Sequence, residues 1–109
     1  MSNEYSYQRM LETGASERQV DDWTKKGFLE LAHRKGWARQ GTPRLWTLWA
    51  YKKACVMYRL TKAGLLTAQA SALLEQEEVK QDLLDDCKWF TANLAPGIEV
   101  RVALREDWE

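Results

Sequence analysis

Gly14-Ala15-Ser16-Glu17-Arg18-Gln19-Val20-Asp21-Asp22-Trp23-Thr24-Lys25-Lys26-Gly27-Phe28-Leu29 is the stretch on which the reading of this chain turns. Ser16 stands where a helix N-cap belongs, and Gln19, three residues on, completes a capping-box pattern. Val20 and Trp23 fall three apart and share the inward face of a helix over residues 17–26. Glu17, Arg18, Asp21, Asp22 and Lys25 are left mostly outward. Lys25 and Lys26 suit the negative end of the helix dipole, and Gly27 is a natural left-handed stop. Phe28 and Leu29 close underneath.

Working outward, Tyr7, Met10 and Leu11 predict a first helix over residues 5–13, with Gly14-Ala15 as the turn. Downstream, Leu29-Glu30-Leu31 and Arg44-Leu45-Trp46 alternate apolar and polar residues as half-buried strands do. Between them lies a basic connector with Arg34, Lys35, Arg39, Gly36 and Gly41, so residues 29–46 read as a basic hairpin. Trp37 at its tip is either exposed or folded back on the core. Trp46 and Trp49 read as core.

Thr47 caps a third predicted helix over residues 48–63, where Leu48, Tyr51, Cys55, Tyr58 and Leu65 follow helical spacing as its apolar stripe. Thr67 caps a fourth, with Ala70, Leu73 and Leu74 inward. A fresh stripe, Val79, Leu83, Cys87, Phe90 and Leu94, predicts a fifth helix with an acidic first turn, broken by Ala95-Pro96-Gly97. Ile98, Val100, Val102 and Leu104 alternate strictly and predict a strand.

Composition limits the function classes. The chain has 109 residues, enough for one domain or a domain with an appendage. No apolar run approaches membrane-spanning length and the N-terminus has no secretory pattern, so a cytoplasmic protein without a membrane partner is expected. Two cysteines and one histidine cannot form a disulfide framework or a four-ligand metal site. No nucleophile–base spacing, phosphate-cradling loop or carboxylate pair stands in a credible setting. A non-enzyme with no cofactor is expected.

The formal net charge is zero, but its distribution is uneven. Residues 1–64 hold 12 Lys and Arg against 6 Asp and Glu; residues 65–109 hold 4 against 10. Affinity for phosphates depends on local cationic surface, so the split keeps nucleic acid open as a partner.

The order helix, turn, capped helix, basic hairpin and helix pair resembles the DNA-binding domain of MerR-type regulators, in particular the small MerR-like proteins of actinobacteria and their phages. The residues carrying the resemblance are Arg18-Gln19-Val20-Asp21 with Trp23, Lys26-Gly27-Phe28-Leu29, Gly41-Thr42-Pro43-Arg44-Leu45-Trp46, and Arg59-Leu60 with Ala63-Gly64-Leu65 and Thr67. Many members have Arg and Tyr where this chain has Asp21 and Asp22, and the chain has no long C-terminal helix. The resemblance implies a mainly α fold with a small β component: a winged helix-turn-helix over residues 1–75, extended by a helix and strand over 76–109. It implies a sequence-specific double-stranded DNA-binding transcriptional regulator. An excisionase-like architectural factor and a protein-interaction module on the same scaffold are the alternatives.

On that reading the DNA-contacting candidates are Arg18, Gln19, Asp22, Lys25, Lys26, Arg34, Lys35, Arg39 and Arg44. Arg18 suits guanine, and Gln19 suits adenine unless the capping box claims it. Asp21 or Asp22 suits a cytosine amino group. Lys25 and Lys26 suit phosphate or simply the helix end, and the hairpin arginines suit a narrow minor groove. Residues 76–109, more apolar than a core of this size needs, are expected to self-associate or dock a protein partner.

Overall fold

The computed structural model describes residues 4–32 and 44–103. Arg34, Lys35, Trp37 and Arg39, the tip of the expected hairpin, lie outside the described residues, as does Leu104. Among the described residues there are five helices and one two-stranded antiparallel sheet: α1 Tyr7–Leu11, α2 Glu17–Lys25, α3 Leu48–Lys62, α4 Thr67–Leu74, α5 Glu77–Leu84, β1 Trp89–Ala95 and β2 Ile98–Ala103. The fold is mixed, with helix predominating. None of these helices is long and apolar enough to cross a membrane. The chain divides into two compact units, Met1–Tyr58 and Arg59–Glu109, with α3 running out of the first into the second.

The first unit is built on α2. The Ser16 hydroxyl accepts the Gln19 N–H at 3.1 Å, and the Gln19 side-chain oxygen accepts the Ser16 N–H at 2.9 Å. This satisfies two of the donors a helix start leaves bare. At the other end Phe28 N–H donates to the Trp23 carbonyl and Gly27 N–H to that of Thr24, with Gly27 at φ +83°. This is a Schellman stop, which needs a residue at ease in the left-handed region. Val20 and Trp23 are buried, as expected, with Met10, Leu29 and Trp46. Burial of each such side chain contributes roughly 1.5–3 kcal/mol. The first helix is shorter than expected, because Ser6, accepting the Arg9 N–H, starts it two residues late.

Among the described residues the two expected hairpin segments pair antiparallel at one bridge, Leu31 to Trp46, and Trp46 also bridges Tyr5 on its other side. Tyr5 and Trp46 exchange two main-chain hydrogen bonds, of 2.8 and 2.9 Å. Ala32 N–H donates to the Leu45 carbonyl, and Thr47 N–H to that of Glu30.

Thr47 caps α3 through its hydroxyl, which accepts the Ala50 N–H. The inward stripe differs from the expected one. Leu48, Tyr51, Cys55 and Tyr58 are only half-buried, while Trp49, Ala50, Lys53, Ala54 and Met57 are buried. These follow the helical period as well. A lysine in their midst hides the stripe; the Lys53 ammonium lies 5.9 Å from the Phe28 ring centroid.

In the second unit α4 buries Ala70, Leu73 and Leu74, as expected, and both α4 and α5 pack on β1. The fifth helix does not reach Leu94. Asp86, at φ +60°, takes the left-handed position, its N–H donating to the Leu83 carbonyl while Cys87 N–H donates to that of Asp82. The chain then turns into β1, which buries Phe90 and Ala92. Pro96 and Gly97 make the turn into β2, and a register shift lies between Asn93 and Ala95. The expected strand from Ile98 is present and is the second arm of this hairpin.

Candidate nucleic-acid interface

α2 is held in place by Trp46. The Thr24 hydroxyl donates to the Val20 carbonyl at 2.7 Å and accepts the Trp46 indole N–H at 3.0 Å. Trp46 is fully buried and its backbone is bridged on both sides, so this one residue fixes the helix against the segment that carries Arg44. Positioning from a rigid element is what base-reading side chains need, because a bidentate contact tolerates little displacement.

The outer face of α2 carries charges of both signs. Glu17, Arg18, Asp21, Asp22 and Lys25 line a shallow depression of about 410 Å³. Arg18 and Lys25 are exposed and, among the described residues, hold no ion pair. Lys26 is paired with Asp22 at 3.2 Å, one helical turn apart. Arg44 reaches across from the bridge to Asp21 at 2.6 Å. The Arg44 guanidinium also lies 5.0 Å from the Trp46 ring centroid and 5.6 Å from that of Tyr7. Aromatic faces and a carboxylate therefore share in aiming this arginine.

Of the nine residues expected to contact DNA, Arg18, Lys25, Lys26 and Arg44 are brought to the α2 surface and its neighbouring bridge. Asp22 is half-buried and engaged with Lys26. The Gln19 side-chain oxygen is occupied by the capping box, so a bidentate contact to adenine requires the cap to open. Arg34, Lys35 and Arg39 lie outside the described residues.

Tyr7 adjoins this surface through Arg44, and Arg9 lies on the same short helix. Tyr7 lies beside Arg44 and has a phenol pKa above the ordinary tyrosine value. Loss of solvation is the main cause, the Asp21 and Glu17 carboxylates add to it, and Arg44 opposes it. Arg9 sits over the stacked pair Tyr5 and Tyr51, whose centroids are 4.5 Å apart, and pairs with Glu12 at 3.1 Å. Its pKa is raised, first by a hydrogen bond with Tyr51.

No known protein family, curated protein or solved structure matches this chain.

Proposed function

We propose that the Met1–Tyr58 unit binds double-stranded DNA in the manner of a winged helix-turn-helix, as a small MerR-like transcriptional regulator rather than an enzyme. The observation that carries this reading is the Trp46–Thr24 tether. It holds a capped helix with Arg18 and Lys25 outward beside a bridge that presents Arg44. In this reading α2 enters the major groove, Arg18 reads a base edge, and Lys25 and Arg44 contact phosphates. Charge supports it: residues 1–58 hold 10 Lys and Arg against 6 Asp and Glu, and residues 59–109 hold 6 against 10. The pairs Arg44–Asp21 and Lys26–Asp22 favour a second reading, a protein-interaction module, because they neutralise two of the cations a phosphate needs.

Equilibrium titration of the full chain with duplexes at several salt concentrations separates the two. DNA binding gives a log affinity that falls linearly with log salt, by about 0.9 per phosphate contacted. Absence of binding to any duplex at low ionic strength removes this reading and leaves the interaction module.

A further inference from the structure

β1 and β2 make up a two-stranded sheet, and the direction of its free backbone groups can be read from one side chain. The Gln76 amide donates to the Asn93 carbonyl at 2.7 Å and accepts the Asn93 N–H at 3.3 Å. The backbone groups of Asn93 thus point away from β2. Asn93 faces Glu99 in the β1–β2 register, so theirs is a non-hydrogen-bonded pair, and the N–H and carbonyl of Glu99 point away from β1. By alternation the same holds for Arg101, opposite Thr91. Among the described residues no backbone partner meets these groups. β1 is clamped on its outer side by Gln76, whereas among the described residues nothing pairs with the outer edge of β2.

We infer that β2 pairs antiparallel with β2 of a second copy of this chain, about a two-fold axis through Val100. The sequence Ile98-Glu99-Val100-Arg101-Val102 is self-complementary in that register. Glu99 faces Arg101 of the other copy, and Arg101 faces its Glu99. Each couple joins opposite charges on the exposed face and exchanges a reciprocal pair of main-chain hydrogen bonds through the groups that point outward. On the opposite face Ile98, half-exposed at 52%, meets Val102 of the second copy, and Val100 meets Val100. A shift of one residue loses all three matches at once and turns the apolar set to the wrong side. Trp89 assists: the Arg101 guanidinium lies 3.5 Å from its ring centroid, which holds the side chain on the face where Glu99 arrives. The result is a four-stranded sheet made of two hairpins, isologous as two-fold pairing requires.

Two short strands bury less than the roughly 1,600 Å² of a standard interface, so reversible association in the micromolar range and above is expected. The pairing is independent of the DNA reading and is measured without DNA, by sedimentation equilibrium of the full chain over a range of concentrations. Glu99→Arg sets Arg against Arg across the axis, and Arg101→Glu sets Glu against Glu. Each variant alone is expected to associate at least about tenfold more weakly than the natural chain. An equimolar mixture of the two restores Glu–Arg couples at both places and is expected to associate about as tightly as the natural chain. Recovery on mixing also shows that both variants are folded. A natural chain that stays monomeric up to millimolar concentration, single variants that associate undiminished, or a mixture that recovers nothing each overturns the pairing.

Discussion

The Arg44 guanidinium donates to the Asp21 carboxylate across 2.6 Å, joining the bridge segment to the exposed face of α2. The two side chains are 42% and 51% exposed, so the pair adds little to stability, about 0–1 kcal/mol. Its consequence is for binding. A DNA phosphate approaching Arg44 competes with a carboxylate already seated there. Asp21→Asn is therefore expected to strengthen binding to every duplex and to increase the salt slope by about 0.9, one further phosphate contact. Unchanged affinity and slope in the titration would remove Arg44 from the DNA surface.

Arg18 and Arg44 are expected to behave differently. Arg18→Ala should cost about 1–3 kcal/mol on a preferred site and relax base preference at one position. Arg44→Ala should weaken all sequences alike. Binding measured across single-base variants of a site distinguishes them, and equal, sequence-blind losses contradict the role given to Arg18.

Gly14 links the turn before α2 to α3. Its φ is +103°, and a Cβ there would stand 2.7 Å from two ring carbons of Tyr58. Gly14→Ala is expected to destabilise the fold by about 1–3 kcal/mol from backbone strain, with a similar amount from overpacking. In a Tyr58→Ala background, where the ring is gone, Gly14→Ala should cost the first part only. Urea unfolding of the two variants checks this, and a Gly14→Ala chain as stable as the natural one contradicts it.

Tyr7 reports on the same charges as Arg44. Removing the Asp21 carboxylate lowers its pKa, and Arg44→Ala raises it further. Because the folded-state value is the higher one, the contribution of Tyr7 to stability is present below the ordinary tyrosine value and is lost as pH rises through the raised one. Phenolate absorbance in a pH titration of each variant follows these shifts. Identical Tyr7 titration in the natural chain and Asp21→Asn would contradict the placement of the two groups.

Local chemistry made α2 legible in the sequence. The cap Ser16, its partner Gln19, the stop Gly27 and the inward Val20 and Trp23 all act within one or two turns. The α3 face was not legible, because Lys53 lies in the buried stripe and the half-buried aromatics Tyr51 and Tyr58 imitate a core face. The end of α5 was missed for a different reason. Asp86 takes the left-handed position that glycine usually fills, and a spacing of four, as between Phe90 and Leu94, fits a strand as well as a helix. Within the site, Arg18 and Lys25 were readable as outward cations. The Arg44–Asp21 pair and the Trp46–Thr24 tether were not, since both join residues that the sequence keeps far apart.

In the proposed function the α2 face and the Arg44 segment meet duplex DNA. Residue-resolved NMR of the full chain during addition of duplex DNA tests it most directly. Shifts and broadening are expected to concentrate at Arg18, Lys25 and Arg44 and to fade as salt is raised. A spectrum that does not change at low ionic strength, or changes confined to Arg59–Glu109, would contradict it.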